Sequence, residues 1–331
     1  MTYPWLSDHI KDLATRYQDG KLPHALLFAG QSGLGKYWLA ETLAAQMLCE
    51  VNTGCGQCKG CLLLSAGSHP DIRLVSPEEG SQQIKIEQVR DLINWVNQTA
   101  QMNGAKIAII TPAHKMNRNS ANALLKIMEE PPAGNHLILL SDDPAVLLPT
   151  IRSRAQQVLV TVPPFEDSVA WLEQSQGTDR DWRTLLALSN GAPLLALDRA
   201  DDEYLERRQK IAGVWRDLFA KQVLVIKLAE SVSKLDLGEV LELGIEMLAD
   251  VTRVHATGDK NSCVNKDILD FTSDIVGCLD SREALRCLGR VEKDYRLAKG
   301  SQNPNQTLLL ESLMADCQTP LSAQDQASLS L

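Results

Sequence analysis

The sequence lacks long apolar runs, an excess of basic residues and repetitive segments, and each absence argues against a class of protein. No stretch approaches the ~18 consecutive apolar residues that a membrane-crossing helix needs. The first nine residues contain no basic region followed by an apolar run, so no secretion signal is expected. The net charge of −9 argues against a protein that coats nucleic acid through its overall field. We therefore expect a cytoplasmic protein without membrane contact.

The 331 residues are 44% hydrophobic and 23% charged, which is typical of a globular chain with two or three domains. The first half alternates short apolar strands with amphipathic helices. Strands are predicted at 25–29, 71–75, 106–110 and 136–140, and helices at 37–48, 86–102 and 120–130. This alternation predicts an α/β domain whose parallel sheet is covered on both faces.

The chain changes character at Val162-Pro-Pro-Phe165, where two prolines end a strand and favour a hinge. A small helical segment follows, and from about residue 202 the pattern is helical only. We therefore predict three domains. They are an α/β domain at 1–162, a small helical lid at 163–201 and an all-α domain at 202–331.

A glycine-rich segment after the first strand, Gly30-Gln-Ser-Gly33-Leu-Gly35-Lys36, matches the phosphate-binding pattern G-x-x-x-x-G-K. In that motif backbone N–H groups and the helix start face a phosphate, and the lysine reaches its outer oxygens. The next position should be a magnesium-ligating Ser or Thr, but it is Tyr37. The segment is therefore either a nucleotide site or a loop that keeps only the turn, and efficient hydrolysis is disfavoured.

A later strand of a P-loop ATPase ends in an aspartate that holds the metal and usually a glutamate that activates water. Here the strand at 106–110 runs into Thr111-Pro112, and neither residue has a carboxylate. Both protein ligands for magnesium are therefore missing.

Four of the eight cysteines lie close together in the chain, at Cys49, Cys55, Cys58 and Cys61. In a reducing compartment such a cluster indicates a metal site, and four thiolates suit a closed, structural Zn²⁺ site. The intervening glycines supply tight turns. His69 is a substitute ligand, although its Ser-His-Pro-Asp context favours a turn. The alternative is three reduced surface cysteines and one in the core.

Three segments resemble the AAA+ subunits of bacterial clamp loaders. The run from Ser120 to Pro132 contains N-A-L-L-K-x-x-E-E-P-P, Thr150-Ile-Arg-Ser-Arg154 resembles the family's Ser-Arg-Cys motif, and Asp143-Pro144 precedes it. Ala155 replaces the cysteine of that motif. The cysteine insertion is also typical of the family. The resemblance implies an AAA+ base, a helical lid and a helical collar for oligomerisation.

Within that family the chain most resembles the delta-prime type, which keeps the zinc cysteines and lacks a working ATPase site. The motor subunits carry Asp and Glu where this chain has Thr111 and Pro112, and a sensing arginine near Gly191-Ala-Pro-Leu194, where none is present. The resemblance implies a non-hydrolysing subunit of the DNA polymerase III holoenzyme, a DNA-directed DNA polymerase. ATP would bind weakly at Gly30, Gly33, Gly35 and Lys36, or only at a neighbour's site.

The resemblance also implies that Arg154 acts in trans as an arginine finger on the neighbour's ATP, with Ser153 positioning it. Implied partners are the gamma/tau motor subunits and the delta subunit, and through the complex the sliding clamp and primer–template DNA.

Three basic residues have two interpretations. Lys115, Arg118 and Lys126 form either a solvated face or a few contacts with DNA phosphates. Two alternatives remain: a gamma/tau-like motor ATPase, and a stand-alone protein that binds zinc, nucleotide and DNA.

Overall fold

The computed structural model describes residues 2–81, 83–102, 104–221, 223–299 and 305–319. The chain divides into two compact units. We call Met1–Ser175 with Gly191–Ala196 the sheet unit, and Gln176–Asn190 with Leu197–Leu331 the helical unit. The predicted three-part division at residues 162 and 201 stays a prediction.

The sheet unit is built on five parallel strands in the order β2-β3-β4-β1-β5. They are β1 (Ala25–Ala29), β2 (Ile72–Val75), β3 (Lys106–Ile110), β4 (Asn135–Ser141) and β5 (Gln156–Leu159). Because all five strands run the same way, the segments that follow them emerge at one edge of the sheet. The glycine-rich segment, Thr111-Pro112 and the start of the Asp143-Pro144 loop therefore lie at that edge.

Helices connect the strands. They are α1 (Ser7–Gln18), α2 (Lys36–Met47), α3 (Lys59–Ser65), α4 (Ile86–Val96), α5 (Arg118–Glu129), α6 (Pro149–Arg152) and α7 (Phe165–Gln176), with 3₁₀ turns at Pro4–Leu6 and Ala113–Lys115. Alternate residues of β1 enter two different apolar cores. Leu27 packs in the core that contains α4 and α5, whereas Leu26 and Phe28 pack in the core that contains α1 and α2. The predicted parallel sheet with both faces covered is confirmed.

The helix predicted over 86–102 is shorter than expected, because α4 ends at Val96. Two buried charged side chains hold the following segment in a non-helical path. The Lys106 ammonium donates hydrogen bonds to two carbonyl groups at the end of the helix, and the Asp71 carboxylate accepts the backbone N–H groups of residues 101 and 102. The sequence pattern could not show either contact.

The remaining helices are α8 (Trp182–Leu188), α9 (Pro193–Asp198), α10 (Asp202–Ala220), α11 (Val225–Val232), α12 (Leu237–Thr257), α13 (Leu269–Cys278), α14 (Ser281–Lys299) and α15 (Gln306–Gln318), with 3₁₀ turns at Lys260–Ser262 and Lys266–Ile268. The helical unit packs around the fully buried Trp215. A Cβ atom on Gly244 of α12 would lie 2.2 Å from that ring, so α10 and α12 approach closely only because Gly244 has no side chain. None of the described helices is long and apolar enough to cross a bilayer.

Candidate nucleotide, metal and arginine sites

The glycine-rich segment forms the turn between β1 and α2 that the sequence predicted. Gly33 and Gly35 have φ angles of +77° and +84°, a region that favours glycine. A Cβ atom on Gly30 would lie 2.2 Å from the carbonyl oxygen of Val160. Helix α2 begins at Lys36, directly after the turn. The turn that the motif requires is therefore present, and phosphate binding by it stays a prediction.

The side chain of Lys36 is directed into its own chain. It is only 6% exposed, and its ammonium lies 2.6 Å from the carbonyl oxygens of Gly30 and Gln31 and 2.6 Å from Oδ1 of Asp142. A lysine ammonium has three N–H donors, and these three oxygens can accept all of them. A phosphate would have to replace at least one of these partners.

Asp142 was missed by the motif analysis. It directly follows β4, the neighbour of β1 in the sheet, and parallel strands bring their carboxyl ends to one edge. The sequence does place Asp142 just after a predicted buried strand, which is where site residues of a parallel sheet are found. Nothing in the local sequence indicates that its partner would be Lys36.

The glycine-rich turn is also covered by other parts of the sheet unit. The backbone N–H of Leu194 donates to the Gly33 carbonyl at 3.0 Å, and the side chain of Leu195 lies 2.5 Å from where a Cβ on Gly33 would be. The Trp5 indole N–H donates to the carbonyl of Leu34 at 2.9 Å. The segment around Leu194, where motor subunits have a sensing arginine, thus packs directly on the glycine-rich turn.

The end of β3 has no carboxylate of its own, as the sequence predicted. Thr111 and Pro112 lead into a 3₁₀ turn that contains His114. The His114 ring Nδ1 lies 3.3 Å from the Ser141 hydroxyl oxygen. Burial lowers the pKa of His114, an effect that the charge of Asp142 opposes. Magnesium prefers oxygen ligands, so the imidazole of His114 does not replace the carboxylates of a working site.

The four clustered cysteines come together in space. The ligand atoms of Cys49, Cys55, Cys58 and Cys61 all lie within 4.8 Å of one another. The sulfur atoms of Cys49 and Cys58 are 3.9 Å apart, and Zn–S bonds of ~2.3 Å in a tetrahedral site place sulfurs ~3.8 Å apart. The donor set therefore fits a metal ion such as zinc.

The surroundings of the cluster shift the pKa values of its thiols in opposite directions. Burial opposes ionisation of Cys49, yet hydrogen bonds from the backbone N–H groups of Cys55, Val51 and Thr53 lower its pKa to about 5. Burial raises the pKa of Cys61 to about 12. A bound cation favours the thiolate form of every ligand, so it would offset the cost of ionising the buried thiol.

His69 lies outside this sulfur group. Its Nδ1 accepts the backbone N–H of Asp71 at 3.1 Å, an arrangement that shapes the turn before β2. This contact fits the turn interpretation. The other ring nitrogen, Nε2, is buried without a hydrogen-bond partner, and the substitute-ligand interpretation stays a prediction.

Arg154 lies between α6 and β5, and its side chain is 36% exposed. Its Nε and Nη2 atoms lie 2.8 and 2.7 Å from Oε1 of Glu129. Its Nη1 atom lies 3.1 Å from the Thr150 carbonyl oxygen and 3.3 Å from the Ser153 hydroxyl. The Ser153 hydroxyl is thus near enough to orient Arg154, and that role stays a prediction. Glu129 lies in the Glu-Glu-Pro-Pro run, but the sequence does not show that it contacts Arg154.

The basic residues Lys115, Arg118 and Lys126 are all exposed on or beside α5. Exposure fits both interpretations of these residues, the solvated face and the phosphate contacts. The DNA contact stays a prediction.

The chain is similar in sequence to named proteins over most of its length. The family described as "DNA polymerase III, delta subunit" matches residues 5–163. DNA polymerase III subunit delta' of Pseudomonas aeruginosa is 34% identical over 330 residues, covering 94% of this chain and 96% of the relative. The subunit delta' of Haemophilus influenzae is 38% identical, covering 62% of this chain and 64% of the relative. A solved gamma-subunit-related protein from Thermotoga maritima covers 93% of this chain and 98% of its own, with 19% identity and a TM-score of 0.44.

Proposed function

The chain belongs to the family of DNA polymerase III delta-prime subunits, and we propose that it serves as a non-hydrolysing subunit of the clamp loader. In this role it helps a motor complex to open the sliding clamp and close it around primed DNA. The clamp-loader resemblance drawn from the sequence is confirmed at the level of the family.

The observation that carries the non-hydrolysing role is the environment of Lys36. Its ammonium is surrounded by three oxygens of its own chain, including a carboxylate. Tyr37, Thr111 and Pro112 occupy the positions where a working site has its magnesium ligands and its water-activating carboxylate. Binding ATP here would require breaking the ion pair of the buried Lys36 with the partly exposed Asp142, without gaining a coordinated metal.

Arg154 supports a role in trans. It is the arginine of the Ser-Arg motif, it is partly exposed, and among the described residues Tyr37, Thr111 and Pro112 stand where an ATPase site has its magnesium ligands and water-activating carboxylate. An arginine finger neutralises the charge that develops on the transferred phosphoryl group of a neighbouring subunit. We propose that the neighbour is a gamma/tau motor subunit, and that the delta subunit, the clamp and primer–template DNA are reached through the complex.

The function is tested by steady-state ATP hydrolysis of the chain alone and of the clamp-loader complex assembled with and without it. We expect no magnesium-dependent hydrolysis by the chain alone, and loss of clamp loading when it is omitted. Turnover by the isolated chain that disappears in Lys36→Ala would instead identify a motor ATPase. Clamp loading at the full rate without the chain would contradict any role in the loader.

The Cys49–Cys61 cluster is proposed to hold one structural Zn²⁺, with all four positions closed by protein sulfur. Zinc there would tie the segment between α2 and α3 together and leave no place for a catalytic water. We expect purified, reduced protein to contain one equivalent of zinc, measured by elemental analysis, and Cys58→Ser to lose it.

Cys278→Ser is the matched control for the zinc measurement, because Cys278 is an exposed cysteine of α13, far from the cluster in sequence. It should retain the full equivalent of metal. Equal zinc content in Cys58→Ser and the unsubstituted chain would show that the cluster is not the metal site.

A further inference from the structure

Glu129 occupies a position that helix stability does not explain. It is the last residue of α5, where the negative end of the helix dipole disfavours a carboxylate. Its side-chain oxygen Oε1 instead accepts a hydrogen bond from Nε of Arg154 and lies 2.7 Å from Nη2 in an ion pair. The residue belongs to the Glu-Glu-Pro-Pro run that the sequence singled out, and the proposed function gives that run no role.

The contacts of the guanidinium show what this pairing does. An arginine has five N–H donors, one on Nε and two on each terminal nitrogen. Glu129 accepts a hydrogen bond from Nε and forms an ion pair with Nη2, and the Thr150 carbonyl and Ser153 hydroxyl accept from Nη1. The guanidinium is therefore held from two sides in one orientation.

We propose that Glu129 is a positioning residue for Arg154, an inference that rests on the proposed function of Arg154 as a finger. A long arginine side chain loses considerable rotamer freedom when it is ordered. Contacts within its own chain impose this order before a phosphate arrives, so the neighbour's site receives a guanidinium that is already oriented.

Helix α5, which carries Glu129 at its last position, is held in place at its first residues. The Asn117 side chain accepts the backbone N–H of Ser120 at 2.8 Å, which caps the start of α5. The buried Ser120 hydroxyl donates to the carbonyl of Ile84 at 2.9 Å, and Ile127 and Met128 are buried beside Glu129. Helix α5 can therefore hold the carboxylate in a fixed place.

The same pairing contributes little to folding. The side chains of Glu129 and Arg154 are 51% and 36% exposed, and ion pairs at such exposure are weak. Replacement of Glu129 should therefore leave the protein folded and able to assemble. An effect on the rate of hydrolysis can then be separated from an effect on stability.

The test is single-turnover ATP hydrolysis by the complete clamp-loader complex with Glu129→Gln. Here kcat and KM denote the rate constant and the half-saturating ATP concentration of the phase that depends on Arg154. Glutamine keeps the size and an oxygen acceptor but removes the charge. We expect kcat to fall by about tenfold with KM changed less than about twofold, since a misplaced catalytic group affects the transition state more than ATP binding. Glu129→Asp, which keeps the carboxylate, should recover part of the loss.

Glu130→Gln is the matched control, because it removes the same charge from the adjacent exposed residue and should leave kcat unchanged. Glu129→Gln combined with Arg154→Ala should be no slower than Arg154→Ala alone. Unchanged or increased kcat in Glu129→Gln, with Arg154→Ala impaired, would overturn the positioning role while leaving the finger intact. Unimpaired Arg154→Ala would overturn the finger itself.

Discussion

Replacing Arg154 with alanine is expected to slow ATP hydrolysis at the neighbouring subunit's site by about 10³-fold, the lower end of the range for arginine fingers. The cause is the loss of a positive charge that stabilises the transition state more than bound ATP. The measurement is single-turnover hydrolysis by the complex in the presence of clamp and primed DNA. Single-turnover conditions isolate the site that depends on Arg154 as a slow phase, even when other sites turn over normally.

Lys36→Ala is the informative comparison for this experiment. Lys36 is bound to Asp142 and to two carbonyl groups of its own chain, so its removal should not slow hydrolysis by the motor subunits. Lys36→Ala should lower the free energy of unfolding, because the partly exposed carboxylate of Asp142 loses its partner. Arg154→Ala with unchanged turnover at every site would refute catalysis in trans. A collapse of hydrolysis in Lys36→Ala would mean that this chain's own site turns over.

Replacing Arg208 with alanine is expected to destabilise the helical unit by about 3–5 kcal/mol, the usual cost of breaking a buried ion pair from one side. The Arg208 side chain is 5% exposed. Its Nη1 lies 2.9 Å from Glu246, its Nε lies 2.7 Å from Asp267, and its Nη2 donates to Asn265. These partners connect α10 to α12 and to the 3₁₀ turn before α13.

The environment of Glu246 explains the size of this effect. Burial raises the pKa of Glu246, and the positive charge of Arg208 opposes that shift. Without the guanidinium, two largely buried carboxylates would lose their shared counter-ion. They would then either remain charged in a poorly solvated place or take up protons, and both outcomes cost free energy.

Arg207→Ala is the matched control for Arg208→Ala. Arg207 is the adjacent residue of α10, it is 33% exposed, and it lies 3.6 Å from both Glu203 and Glu239. Ion pairs of this kind contribute about 0–1 kcal/mol. Urea unfolding of both variants measures the difference directly. Equal losses of stability in the two variants would show that burial of the Arg208 cluster is not what stabilises the unit.

Most of the fold was predictable because its signals are local. Apolar residues at strand and helix spacing located β1, β3, β4, α2 and α5 to within about two residues. The predicted end of α4 was wrong. There the path of the chain depends on Lys106 and Asp71, two buried charges supplied by neighbouring strand segments. A periodic pattern contains no information about such contacts.

The sequence by itself determined the parallel α/β architecture, the glycine turn, the missing magnesium ligands and the cysteine cluster. Each of these depends on residue types at short spacings along the chain. Only the tertiary structure decided which partners the charged groups take. Lys36 pairs with Asp142, Arg154 with Glu129, and Arg208 with Glu246 and Asp267. The physical reason is that an ion pair depends on separation in space and on exposure to water, and folding sets both for residues far apart in the chain.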